Sequence, residues 1–244
     1  MWLVFCTAVG VGGATVIGSL MGFIVKRIPK RFSDLTISLA AGIMLTASVW
    51  GLIIPSMGGC SGRETAVTAG GIMLGALFIG WCERLVPHLR FVAGEIGAEG
   101  EADGVLMLVF AMAVHNMPEG IAAGVSLGSG DISGAIGVAG GIALQNIPEG
   151  MAVIPPMLAV GISRRRALSL ALMTGFTEVA GTFLGYYAVT FFSWLLPLSL
   201  AFAGGAMIYV IADEMIPYAN AYGRVGTYVF AVGICLMLLV GIVL

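Results

Sequence analysis

Apolar runs of about 20 residues, separated by short breaks, follow one another along nearly the whole chain. A helix of that length spans the hydrocarbon core of a bilayer, because each helical residue adds about 1.5 Å. Only 10% of the 244 residues are charged, whereas a soluble domain carries roughly 25%. We therefore expect an all-α integral membrane protein that forms a single polytopic membrane domain over residues 1–244. Its net charge of −2 gives no indication of a nucleic acid partner.

Breaks that contain charged, Gly, Pro or Ser residues divide the chain into eight predicted transmembrane helices. We refer to them as spans one to eight, with approximate bounds 2–25, 34–55, 66–87, 104–128, 134–158, 166–190, 197–214 and 223–243. The first basic cluster follows the N-terminal apolar run instead of preceding it. This order favours a first spanning helix over a cleaved signal peptide.

Basic residues are distributed unevenly over the two sides of the predicted membrane. Of the 11 Lys and Arg residues, all but Arg63 follow an odd-numbered span. The positive-inside rule places the loops after the odd-numbered spans in the cytoplasm. The chain is therefore expected to lie in the cell (inner) membrane with both termini outside the cytoplasm.

This orientation can be tested at Cys60, which lies in the predicted loop after span two. We expect an impermeant thiol reagent to label Cys60 from outside the cell, because that loop is predicted to face outward. Labelling of Cys60 from the cytoplasmic side alone would overturn this orientation.

Polar and thiol residues elsewhere in the chain give weaker indications of function. The acidic, glycine-rich loop GEIGAEGEADG (94–104) is typical of a solvated connector, with weak metal capture on the cytoplasmic side as the alternative. The four cysteines contain no C-x-x-C pair and are expected to be packing residues. His88, at the inner end of span three, is expected to be an interfacial residue.

Polar motifs interrupt the apolar sequence of spans four and five. HNMPEG occupies 115–120 and QNIPEG occupies 145–150, and His115 and Gln145 each lie about eleven residues into their span. Both motifs are thus expected near the bilayer midplane, and the short connection makes their helices antiparallel neighbours. Glu178, near the middle of span six, adds an acid to the two glutamates of the motifs.

The three glutamates of this cluster are costly in a bilayer. An ionised carboxylate at the bilayer centre costs at least about 2.5–3.5 kcal/mol, so the cluster needs a bound cation, protonation or water. Hydrogen bonding between helices is the simpler alternative. Amides alone would provide it at lower cost than three glutamates and a histidine. The composition of the cluster therefore favours a cation site.

The spacing within each motif predicts two adjacent cation positions. His115 and Glu119 are an i, i+4 pair that shares a helix face, while Asn116 and Glu119 are an i, i+3 pair to one side. The same spacing recurs in span five at Gln145, Asn146 and Glu149. Two antiparallel copies can enclose a binuclear metal site bridged by Glu119 and Glu149. Imidazole, carboxylate and amide ligands suit Zn²⁺, Fe²⁺ or Mn²⁺ better than Cu⁺.

In these features the chain resembles the ZIP (Zrt/Irt-like) divalent metal transporters, most closely their GufA-like bacterial branch. The resemblance rests on the paired N-x-P-E-G motifs, the glutamate of span six, AAGIMLTASVWGLIIPS (40–56) and AGGAMIYVIADEMIP (203–217). It covers essentially the whole chain. It implies eight transmembrane helices, an inverted repeat of helices 1–3 and 6–8 around helices 4 and 5, and a homodimer.

The resemblance also implies the ligands of the two cation positions. The first subsite would consist of His115, Glu119, Gln145 and Glu149. The second subsite would consist of Asn116, Glu119, Asn146, Glu149 and Glu178. Asp213 and Glu214 would match an acidic pair on the exit route, with hydrated helix-end acids as the alternative. Many relatives carry histidine where this chain has Gln145, so a strict preference for zinc is not implied.

The expected function is transport of divalent transition metal ions, Zn²⁺ above all and also Cd²⁺, Fe²⁺ and Mn²⁺, into the cytoplasm. The ion is the transported ligand, and no cofactor is expected. An alternating-access carrier of the elevator type is favoured, with a metal-selective channel as the nearest alternative. The chain is not expected to be an enzyme, because an intramembrane metalloenzyme usually carries H-E-x-x-H, which this sequence lacks. The cost of the carboxylates also disfavours a purely structural or sensor protein.

Overall fold

The computed structural model describes residues 1–24, 29–59, 61–93, 101–159 and 161–243. Within these ranges every regular element is helical. The α-helices are α1 (Trp2–Ile24), α2 (Lys30–Ser48), α3 (Ile54–Ser56), α4 (Gly62–Ala93), α5 (Glu101–Gly128), α6 (Ile132–Ala159), α7 (Arg164–Phe191), α8 (Leu196–Val210), α9 (Ile216–Ala221) and α10 (Arg224–Val243). One π-helical turn, Val49–Ile53, joins α2 to α3, and another, Ile211–Met215, joins α8 to α9.

The length and composition of these helices suit a membrane. Among the described residues, six helical stretches are long and apolar enough to cross a bilayer: Trp2–Ile24, Arg31–Ser56, Gly62–Leu85, Arg164–Phe191, Ser193–Ala221 and Arg224–Gly241. They coincide with spans one, two, three, six, seven and eight. Helices α5 and α6, which match spans four and five, are as long as α7 but carry the polar motifs. The predicted all-α, multi-pass membrane class is confirmed.

The helices pack as two groups. In the central group, α5 packs along α7 and α1 packs along α6, while α1 also contacts α7 and α5 contacts α6. In the flanking group, α4 packs along α8 and α2 packs along α10. The groups meet mainly where α2 faces α6 and where α8 faces α5. Both polar motifs therefore lie in the central group.

Glycines allow the helices of the central group to approach closely. A side chain at Gly18 of α1 would collide with the carbonyl oxygen of Ile147 in α6. A side chain at Gly120 of α5 would likewise collide with the carbonyl oxygen of Glu178 in α7. Contacts of this kind are typical of small residues at helix crossings in lipid. As a result, the backbone at each polar motif is in contact with a neighbouring helix.

Some helix ends differ from the predicted bounds. Span seven was predicted to end at 214, but the helix continues through a π-helical turn into α9, which ends at Ala221. Pro217 lies in the first turn of α9, where a missing N–H is tolerated, so it does not end the helix. Helix α4 extends to Ala93, beyond the predicted end at 87, and α5 begins within the predicted loop 94–104. The other residues of that loop, 94–100, and Cys60 lie outside the described residues.

Candidate metal centre

The structure brings both motifs and the acid of span six together. His115 lies at the midpoint of α5, Gln145 at the midpoint of α6 and Glu178 at the midpoint of α7. All three side chains are buried. Because these three helices contact one another, their midpoints form one polar centre inside an otherwise apolar bundle.

Glu178 is the most heavily hydrogen-bonded acid of this centre. Its Oε1 accepts hydrogen bonds from Thr15 Oγ1 at 2.5 Å and from Asn116 Nδ2 at 2.6 Å. Its Oε2 accepts one from Asn146 Nδ2 at 2.6 Å. All four side chains are buried. Four helices, α1, α5, α6 and α7, thus converge on a single carboxylate.

Glu119 and Gln145 form a second polar contact, and it leaves acceptors unused. Gln145 Nε2 donates to Glu119 Oε1 at 2.6 Å. Three buried oxygens find no hydrogen-bond donor among the described residues: Glu119 Oε2, Gln145 Oε1 and Asn146 Oδ1. A buried acceptor without a partner costs about 1–3 kcal/mol. Three such oxygens in one centre are the type of ligand that a divalent cation binds.

A cavity of about 260 Å³ connects the motifs to one end of the bundle. Its lining includes His115, Asn116, Glu119 and Glu149 and extends to Asp34 near the start of α2. Glu149 is half-buried and lines the same cavity as His115. Because one water molecule occupies about 30 Å³ in the liquid, the cavity has room for a cation with several waters.

His115 contacts two acids of the flanking group. Its Nε2 lies 3.3 Å from Glu83 Oε1 on α4 and 3.1 Å from Glu214 Oε1 in the second π-helical turn. The ligand atoms of these three residues lie within 4.8 Å of one another, which is compatible with a metal ion between them. Tyr209 donates a hydrogen bond to the other oxygen of Glu83 at 2.9 Å.

Two residues of this centre were missed from the sequence, Glu83 and Thr15. Glu83 could have been found by the same reasoning as Glu178, since it is an acid inside an apolar span. Thr15 gives no such signal, because threonine is common in transmembrane helices. Of the predicted exit pair, Glu214 reaches His115, whereas Asp213 is exposed and is not part of this group.

The fold and this centre define a multi-pass membrane protein with acidic, amide and imidazole side chains buried at helix midpoints. The model of the family described as "ZIP Zinc transporter" matches residues 92–241. The chain is also similar to curated zinc transporters. It is 37% identical over 219 residues to zinc transporter GufA of Myxococcus xanthus, which covers 87% of this chain and 86% of the relative.

Two further relatives are similar over most of the chain. Zinc transporter ZIPB of Bordetella bronchiseptica is 33% identical over 243 residues, covering 92% of this chain and 76% of the relative. Zinc transporter ZupT of Chlorobium luteolum is 37% identical over 230 residues, covering 87% and 86%. The chain therefore belongs to the ZIP family, and the family predicted from the motifs is confirmed. These relatives are named as transporters and not as enzymes, in agreement with the prediction that the chain is not an enzyme.

Proposed function

We propose that the chain carries divalent transition metal ions, Zn²⁺ above all and also Cd²⁺, Fe²⁺ and Mn²⁺, into the cytoplasm. The observation that carries this proposal is the set of three buried, unpartnered oxygens on Glu119, Gln145 and Asn146. A cation would satisfy them and offset the charge of the neighbouring carboxylates. The relatives' names as zinc transporters support the same substrate class. The ion is the transported substrate and not a resident cofactor.

The substrate site is proposed to be binuclear. Its first subsite comprises His115, Glu119, Gln145 and Glu149, and its second comprises Asn116, Glu119, Asn146, Glu149 and Glu178. Gln145 already directs an unpartnered oxygen into the centre. The NH₂ groups of Asn116 and Asn146 donate to Glu178, and Asn146 Oδ1, which has no hydrogen-bond donor among the described residues, is free to bind an ion.

The exit route is proposed to run through the cavity past Glu214 toward Asp34. These acids lie on the side of the centre that the positive-inside rule assigns to the cytoplasm. On the other side, the space between the helices is filled by fully buried apolar residues: Leu52, Ala122, Ala123 and Ile142. This arrangement supports an inward-facing conformation. Asp213 is exposed at the same end and would meet a departing ion last, or it is a hydrated helix-end acid.

An inverted repeat is supported by the packing of the helices. The helices can be matched in four pairs: α1 with α7, α5 with α6, α2 with α8, and α4 with α10. When each helix is replaced by its match, a pair of packed helices becomes a pair that also packs. The pair α1–α6 becomes α7–α5, and α2–α10 becomes α8–α4. The two π-helical turns also correspond, since each precedes a short helix with proline in its first turn. We propose that this pseudo-symmetry provides two related conformations, with eight spans in one membrane domain.

An elevator-type carrier is supported by the distribution of the centre's residues over the central and the flanking group of helices. The ligands proposed for both subsites lie on α5, α6 and α7 of the central group, whereas Glu83 and Glu214 belong to the flanking group. A sliding motion of the central group would therefore move the ion relative to its exit acids. We further propose a homodimer in the cell (inner) membrane, with both termini outside the cytoplasm.

Uptake of Zn²⁺, Cd²⁺ and Mn²⁺ into proteoliposomes, at controlled pH and voltage, tests the proposed function. We expect saturable uptake with low turnover, as for a carrier. Uptake proportional to concentration over a wide range, with high turnover, would instead favour the metal-selective channel. Uptake no faster than in protein-free liposomes would contradict metal transport by this chain.

The ion preference should respond to the donor atom at position 145. Gln145 supplies an amide oxygen, whereas histidine would supply a softer imidazole nitrogen. We expect Gln145→His to tighten the apparent affinity for Zn²⁺ and Cd²⁺ by more than that for Mn²⁺. Competition assays on the wild type and the variant measure this difference. An equal gain for all three ions would mean that Gln145 is not a metal ligand.

A further inference from the structure

We propose that Thr15 is a positioning residue for the second subsite, whose hydroxyl fixes the orientation of the Glu178 carboxylate when an ion binds. The proposal rests on the proposed function, because it requires an ion at Glu178. Thr15 lies on α1, the one helix of the central group to which no ligand has been assigned. Its side chain is 2% exposed, and its Oγ1 donates to Glu178 Oε1 at 2.5 Å.

The crossing of α1 and α7 brings Thr15 to Glu178. A side chain at Gly12 of α1 would collide with the carbonyl oxygen of Gly175 in α7. Thr15 and Glu178 each lie about one turn from one of these glycines, and their side chains meet at this crossing. On its other side α1 is held against α6, because a side chain at Gly150 would collide with the carbonyl oxygen of Thr15. The position of the Thr15 hydroxyl is therefore set by two close helix contacts.

Thr15 differs chemically from the two other donors to Glu178. Asn116 and Asn146 donate through their NH₂ groups, and both are themselves proposed ligands of the ion through their amide oxygens. The Thr15 hydroxyl is not a proposed ligand and acts through its hydrogen bond to Glu178. A substitution of Thr15 therefore changes the hydrogen bonding of Glu178 without removing a ligand. Removing a hydrogen-bond partner of a metal ligand typically costs about 10–100-fold in metal affinity.

Equilibrium dialysis of the purified full-length protein against Cd²⁺ tests this role, with bound cadmium measured at each free concentration. We expect two ions per chain for the wild type and one for Glu178→Ala. Thr15→Val keeps the size and β-branching of the side chain but removes the donor. It should weaken the second Cd²⁺ by about tenfold or more and leave the first unchanged. Thr15→Ser keeps a hydroxyl and should restore the second affinity.

Thr182→Val is the matched control. Thr182 is fully buried on the same helix as Glu178, but its hydroxyl donates to the Glu178 backbone carbonyl at 2.9 Å. Its loss should leave both Cd²⁺ affinities unchanged. If Thr15→Val does not yield folded protein, Thr15→Ala, which also removes the hydroxyl donor, allows the same comparison with Thr15→Ser.

The outcomes separate this proposal from the proposed function. If Thr15→Val binds the second Cd²⁺ like the wild type while Glu178→Ala loses it, the role of Thr15 is wrong and the binuclear site remains. A loss that Thr15→Ser does not restore would indicate altered packing and also overturn the role. If the wild type binds one ion, or Glu178→Ala still binds two, the second subsite itself is wrong and the Thr15 proposal fails with it.

Discussion

Replacing Glu119 by alanine is expected to abolish metal uptake into proteoliposomes. Glu119 is almost completely buried, its Oε1 accepts from Gln145 and its Oε2 has no donor among the described residues. Alanine would remove a ligand shared by both subsites and leave the Gln145 amide buried without its acceptor. Loss of a hydrogen-bond partner of a metal ligand can cost about 100-fold in metal affinity or activity. Loss of the ligand itself should reduce uptake by more than that. Glu149→Ala should have the same effect, because it also bridges the subsites.

Variants at residues of one subsite provide the comparison. Asn116→Ala and Glu178→Ala should reduce uptake less than Glu119→Ala, because each removes a ligand from the second subsite alone. Glu178→Ala should also lower thermal stability, since three buried donors would lose their acceptor. Normal transport by a Glu119→Ala, Glu149→Ala double variant would mean that the ion binds elsewhere. The group formed by Glu83, His115 and Glu214 would then be the alternative position.

Gly18→Ala is expected to lower thermal stability and uptake together. A methyl group at Gly18 would collide with the backbone of Ile147, which cannot move without shifting α6. Overpacking of this kind costs typically about 1–3 kcal/mol. Because Ile147 follows Asn146 directly, the shift would also disturb the hydrogen bond from Asn146 to Glu178. Thermal unfolding in detergent and uptake in proteoliposomes measure the two effects.

Gly10→Ala is the matched control on the same helix. A methyl group at Gly10 would meet no atom within 4 Å. It should not lower the free energy of unfolding, and it can raise it by about 0.5–1 kcal/mol because alanine has the higher helix propensity. If Gly10→Ala and Gly18→Ala behaved alike, the close crossing of α1 and α6 would be contradicted.

The meeting of the two motifs could be predicted because it depends on local geometry. Helical spacing fixes which side chains share a face, and a short connection makes α5 and α6 neighbours. The same reasoning paired His115 with Glu119. In the structure, the ring nitrogen of His115 contacts Glu83 and Glu214, which come from helices far away in the sequence. Such contacts depend on how the helix groups pack, and the spacing of a motif contains no information about that packing.

Neither the role of Thr15 nor the end of span seven could be predicted from the sequence, because both depend on how the helices pack. The importance of Thr15 comes from the crossing of α1 and α7, and no local pattern distinguishes it from other threonines. Span seven was predicted to end at 214. The π-helical turn before Pro217 instead lets the helix continue. Such turns depend on tertiary packing and are common at functional sites, and this one carries Glu214.

Anomalous diffraction from crystals of the protein grown with Cd²⁺ tests the binuclear site most directly. We predict two cadmium peaks between α5 and α6, both in contact with the carboxylates of Glu119 and Glu149. One peak should also contact His115 and Gln145, and the other Glu178. A single peak among Glu83, His115 and Glu214, with none between Glu119 and Glu149, would contradict the proposed site.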